Sequence, residues 1–74
     1  MPTKKTETRT PRGLSGPLLR YGSVGGAVRT LQEALGINPD GVFGDSTRAA
    51  VIAFQKRSRI TADGVVGPET WVRL

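Results

Sequence analysis

The sequence predicts an all-α domain: a small bundle of three helices with two repeated Asp-Gly loops, preceded by an extended basic arm. Three observations lead there. Apolar residues recur at helical spacing in successive stretches of the chain. The octets DGVFGDST (40–47) and DGVVGPET (63–70) share the pattern D-G-V-x-G-x-x-T, 23 residues apart. Residues 1–17 show no apolar periodicity and carry Pro2, Pro11 and Pro17.

The arm comes first. Residues 1–20 hold five basic groups, Lys4, Lys5, Arg9, Arg12 and Arg20, against Glu7 alone. Residues 21–74 hold six basic and five acidic groups, so the net charge of +5 is chiefly a property of the arm. Such an arm suits nucleic acid, an anionic wall polymer or an acidic protein surface, and it equally suits a solvated extension. Lys4, Lys5, Arg9 and Arg12 are its candidate docking residues. Order is expected to begin at Leu18, which divides the chain into an arm of residues 1–17 and a domain of residues 18–74.

The turn YGSVGG (21–26) leads into the first helix, with Val24, Val28, Leu31 and Leu35 as its stripe. Gly36 stands where a left-handed residue ends a helix. The second helix is expected over DSTRAAVIAFQKRSR (45–59), with Thr47, Ala50, Val51 and Phe54 inward. Asp45 suits the positive end of its dipole, and Lys56, Arg57 and Arg59 suit the negative end. The third helix is PETWVRL (68–74): Pro68 falls at its first position, where a missing N–H costs nothing, and Trp71 and Leu74 share a face. Gly44 and Gly67 are the aligned N-caps.

The repeat reaches back beyond the octets. At the same offset Val28 matches Val51, Leu31 matches Phe54, Gln32 matches Gln55, and Ile37 matches Ile60. Two copies are too few for a solenoid, but three helices need two corners, and the same corner is written twice. In each corner Asp40 or Asp63 accepts from loop N–H groups, and Gly41 or Gly64 permits the bend. Thr47 or Thr70 bonds local backbone in the next helix, and the Gln32 or Gln55 amide reaches loop carbonyls. Val42, Phe43, Val65 and Val66 are expected to dip under the helices. With Leu19, Ile37 and Ile60 they complete a small core, one of marginal stability without a disulfide or metal.

Composition excludes whole classes of chemistry. There is no Cys and no His, which removes disulfides, thiolate nucleophiles, imidazole bases and the usual zinc ligands. No catalytic residues, metal ligands or cofactor site can be assigned. The Asp-Gly loops lack the alternating ligands of a calcium loop. No apolar run is long enough for a membrane span. The start MPTKKTETRTPRG lacks the apolar stretch of a signal peptide, so export is expected by lysis or within a larger particle. The near-neutral domain argues against nucleic acid as a partner, despite Lys56, Arg57 and Arg59.

Taken together, Gly22, Gly25, Val28, Leu31–Gln32, Asp40–Gly44, Thr47, Ala50–Val51, Phe54–Gln55, Asp63–Gly67 and Thr70–Trp71 closely resemble the peptidoglycan-binding domain family. This is the three-helix module appended to cell-wall hydrolases of bacteria and their phages. The resemblance covers residues 18–74 and implies a peptidoglycan-binding-domain-like bundle that holds cell-wall peptidoglycan without catalysis, at the cell wall or outside the cell. No catalytic domain accompanies the module in these 74 residues. The alternative is therefore a structural protein of a bacteriophage virion, with the arm docked on a neighbouring subunit.

For the ligand, the residues offer Tyr21 and Trp71 as aromatic edges and Arg20, Arg29 and Arg48 as carboxylate clamps, with a shallow groove expected near Tyr21, Arg29 and Trp71. Each has a plain structural alternative: a packed stripe for Trp71, a solvated surface for the arginines. The backbone N–H groups of YGSVGG offer an anion site or simply a tight turn. Asp40, Gly41, Gly44, Thr47, Asp63, Gly64, Gly67 and Thr70 are read as turn residues.

Overall fold

The computed structural model describes residues 15–74. The docking candidates Lys4, Lys5, Arg9 and Arg12 lie outside them. The element order is α1 (Gly26–Leu35), α2 (Asp45–Arg57) and α3 (Pro68–Arg73), and no strand is present among the described residues. The N-caps of α2 and α3 are Gly44 and Gly67, with Pro68 opening α3, as expected. Gly36 ends α1 in the left-handed conformation, φ 75°. α2 closes two residues earlier than its sequence suggests. Arg59 follows at φ 59°, the one non-glycine residue with positive φ among those described.

Leu19, Val28, Leu31, Phe43, Val51, Val66 and Trp71 form the buried core, with Ala27, Leu35 and Leu74 packed against it. Six expected core residues stand outside it, and Ile37, Ile60 and Val65 among them are half-buried. Val24 precedes α1 rather than joining its stripe and is 71% exposed. Val42 is 52% exposed, because neighbours on extended chain point to opposite sides and Phe43 takes the inward place. Phe54 is half-buried, and the Arg57 guanidinium lies 5.6 Å from its ring centroid.

The leading segment laces the corners together. Leu19 and Val66 exchange backbone hydrogen bonds at 3.0 and 2.8 Å. Gly22 N–H donates to the Phe43 carbonyl and Phe43 N–H donates to the Ser23 carbonyl, each at 2.9 Å. Gly25 N–H donates to the Gly41 carbonyl, also at 2.9 Å. Residues 19–25 therefore touch both Asp-Gly loops, although one follows them by about twenty residues and the other by about forty in sequence. Such pairings satisfy loop backbone that the buried Phe43 and Val66 draw out of water.

Below this segment, Gly16 and Pro17 close over α3. Trp71 Nε1 donates to the Pro17 carbonyl at 2.9 Å. A Cβ on Gly16 would stand 2.7 Å from two atoms of the indole ring. Only glycine fits there, so the chain meets the core two residues before Leu18.

Candidate functional site

In the repeated corners the aspartates accept loop N–H groups and the Gln amides reach loop carbonyls, as expected, but each threonine hydroxyl pairs with the Gln amide, and Thr47 also reaches the Val42 carbonyl at 3.4 Å. In the first, Gln32 Nε2 lies 2.8 Å from Asp40 Oδ1, 3.0 Å from the Val42 carbonyl and 3.0 Å from Thr47 Oγ1. Gln32 Oε1 accepts from Gly41 N–H at 2.8 Å, and Asp40 Oδ1 also accepts from Val42 N–H at 3.0 Å. The second corner repeats the pattern. Gln55 Nε2 reaches Asp63 Oδ1 at 3.3 Å, the Val65 carbonyl at 3.0 Å and Thr70 Oγ1 at 3.1 Å. Gly64 N–H donates to Gln55 Oε1, and Val65 N–H to Asp63 Oδ1, both at 3.0 Å. The amides of Gln32 and Gln55 are 1% and 0% exposed, so the loops are pinned from inside.

Asp40 feels this pinning electrostatically. The Val42 N–H and then the Gln32 amide hold its carboxyl below the ordinary value of 3.8, because both donate to the ionised form. Asp40 and Asp63 thus each have one carboxylate oxygen engaged by the N–H two residues on and by the Gln amide. No group of three or more metal-ligating side chains gathers among the described residues. No helix among them is long and apolar enough to cross a membrane.

Although the corners match in hydrogen bonding, they differ on their outer faces. A groove of about 460 Å³ opens beside the second, lined by Arg20, Tyr21, Asp45, Arg48, Asp63, Gly64 and Val65. A smaller cleft of about 250 Å³ borders the same loop; Asp63 and Val65 line both. Tyr21 is 60% exposed and offers an aromatic face at the groove. Arg20 and Arg48 supply two cations and Asp45 and Asp63 two carboxylates, so the groove is balanced in charge. It can present both hydrogen-bond donors and acceptors to a polar ligand.

Of the sequence candidates, the structure brings Tyr21 and Arg48 together with Arg20 in this groove. Arg29 is not in it: its Nη2 would lie 3.7 Å from a Cβ on Gly41, at the other corner. Trp71 is not at an exposed edge. It is 1% exposed, its ring under Gly16 and its N–H spent on Pro17. A groove uniting Tyr21, Arg29 and Trp71 is thus corrected to one uniting Arg20, Tyr21 and Arg48. Asp45 was legible only as a residue suited to a helix dipole. The signal for its place in the groove was the repeat itself, since the counterparts of Asp45 and Arg48 in the first copy are Gly22 and Gly25.

Comparison with known proteins gives the fold its context. The model of the family described as "Putative peptidoglycan binding domain" matches residues 24–74. A protein of Kitasatospora aureofaciens, known as the uncharacterized protein in bpoA1 3'region, is 42% identical over 67 residues, covering 81% of this chain and 57% of its own. The zinc D-Ala-D-Ala carboxypeptidase of Streptomyces albus G is 41% identical over 64 residues, covering 76% of this chain and 25% of its own. The chain thus spans little more than half of the first of these curated relatives and a quarter of the second. Among solved structures, the SleB N-terminal domain superposes with a TM-score of 0.72 at 32% identity, covering 77% of this chain and 86% of that one. An all-α bundle with these doubled Asp-Gly corners, matched over most of its described length, belongs to the peptidoglycan-binding domain family.

Proposed function

We propose that this chain is a non-catalytic module that holds bacterial peptidoglycan in the groove beside its second Asp-Gly corner. The observation that carries the reading is the groove's make-up: an exposed tyrosine face flanked by two arginines and two carboxylates, in a cavity of about 460 Å³. That volume falls within the range of small-ligand sites and suits a few sugar or amino-acid units rather than a whole strand. Aromatic faces take apolar sugar and side-chain surfaces, while charged groups at the rim fix orientation. Two features support attachment over hydrolysis: each loop aspartate accepts from its own loop's N–H, and the sequence supplies no His or Cys as base or nucleophile.

The place of action under this reading is the cell wall. Co-sedimentation with purified sacculi tests it, comparing the full chain with a shortened chain beginning at Ser15. Both are expected to pellet, with little change at high salt, because groove contacts are short-ranged and specific. Pelleting that needs residues 1–14 and disappears in salt would move the interaction to the basic arm. The reading would then give way to the arm-docked virion component.

A further inference from the structure

The two corners are copies in their hydrogen bonds, yet they differ in the side chains that the start of the following helix and its counterpart present beside them. At the first, the positions of Gly22 and Gly25 bear no side chain, and their backbone N–H groups are closed onto Phe43 and Gly41 at 2.9 Å. At the second, the matching positions are Asp45 and Arg48 on the first turn of α2. Leu19 takes over the backbone pairing there, which leaves these side chains to wall the groove.

Arg48 is placed with some care. A Cβ on Gly64 would stand 3.3 Å from its Cγ and 3.3 Å from its Nε, so the arginine stem lies across the bare glycine of the loop. Gly64 is buried, whereas Arg48 is exposed. The stem is therefore held by packing while the guanidinium remains accessible at the groove. A planar, two-pronged donor presented this way fits a carboxylate. The balanced charge argues against a polyanion, which Asp45 and Asp63 would repel. Accordingly, and resting on the peptidoglycan reading above, we infer that the groove recognises the carboxylate-bearing peptide stem of the wall rather than its glycan, and that Arg48, seated on Gly64, is the residue that selects it. Arg20, which also lines the groove, supplies a second cation, and Asp45 is available to accept from the ligand's N–H groups.

The test uses the full chain, labelled for amide NMR, and three soluble probes. These are the stem peptide L-Ala-γ-D-Glu-L-Lys-D-Ala, the same peptide with its carboxylates amidated, and chitotetraose as the bare glycan. The free peptide is expected to shift Gly64 and Arg48 while leaving their counterparts Gly41 and Gly25 unmoved. Amidation is expected to weaken binding by about tenfold or more, the loss that goes with a charge-assisted hydrogen bond. Arg48→Gln should bind free and amidated peptide alike, a loss of discrimination that mere loosening of the loop would not cause. Arg48→Lys should keep part of it and serves as the second variant. Equal binding of the free and amidated peptides, preference for chitotetraose, or shifts centred on Gly41 would overturn the inference. Sacculus binding with no peptide binding would sink the inference and leave the wall-binding reading standing. Peptide binding at Gly64 without sacculus binding would overturn both, leaving the groove a carboxylate site with a ligand other than the wall.

Discussion

Gln32 and Gln55, 23 residues apart, make the same hydrogen bonds with their buried amides: carbonyl oxygen to the glycine N–H, nitrogen to the aspartate, the valine carbonyl and the threonine. Each amide stands in for water inside a corner. Replacing either by Ala leaves the buried N–H of Gly41 or Gly64 unpaired, at a cost of about 1–3 kcal/mol. A domain this small has only a few kcal/mol of stability. Gln32→Ala and Gln55→Ala are expected to unfold much of the protein at room temperature, as urea denaturation followed by circular dichroism will show.

Gly41 and Gly64 have nearly the same backbone, φ 79° and 76°, but different neighbours. Alanine at either adds about 1–2 kcal/mol of left-handed strain. At Gly64 the new methyl also presses on Arg48, whereas at Gly41 its nearest atom is the Gly25 carbonyl oxygen at 3.5 Å. Gly64→Ala should therefore destabilise more than Gly41→Ala. Arg48→Ala should relieve the excess in a double-mutant cycle measured by thermal melting.

Arg59 stands where Gly36 stands one repeat earlier, and both have positive φ. The backbone bonds match too: Ile37 N–H to the Gln32 carbonyl at 3.0 Å, and Ile60 N–H to the Gln55 carbonyl at 3.1 Å. Glycine in this place removes side-chain strain at some entropic cost in the unfolded chain. Arg59→Gly is expected to raise stability by about 0.5–1 kcal/mol, read as a higher urea midpoint with an unchanged slope.

Trp71 reports on where the domain begins. Removing residues 1–14 leaves Gly16 and Pro17 over the indole and should not change its fluorescence maximum. Removing residues 1–17 strips the Pro17 carbonyl from Nε1 and wets the ring. A red shift and a lower melting temperature are expected for that shorter chain alone.

Asp40 sets an acid dependence. Its carboxyl is depressed below 3.8 by the Val42 N–H and then by the Gln32 amide. The folded state therefore binds its proton less readily than the unfolded chain does. The resulting stabilisation is full above the ordinary value and is lost as pH falls below it through the depressed one. Asp40→Asn, whose side-chain oxygen can still accept from Val42, should flatten this part of the stability–pH curve.

By itself the sequence determined the three helices, the caps at Gly36, Gly44 and Gly67, and in each corner the aspartate's acceptance of a loop N–H and the Gln amide's reach to a loop carbonyl. These join residues near in sequence: each aspartate accepts from the N–H two residues on, and each Gln meets the valine carbonyl ten on. Local propensity and a written repeat are enough to read such contacts. The tertiary structure alone decided that the leading segment laces onto both loops, that Trp71 is roofed by Gly16 and Pro17, and that Arg20, Tyr21 and Arg48 share a groove without Arg29. Those relations join residues as far apart as Pro17 and Trp71, 54 positions along the chain. No periodicity encodes such a pairing. It is fixed by which apolar surfaces close on one another, and that choice exists only once the helices pack.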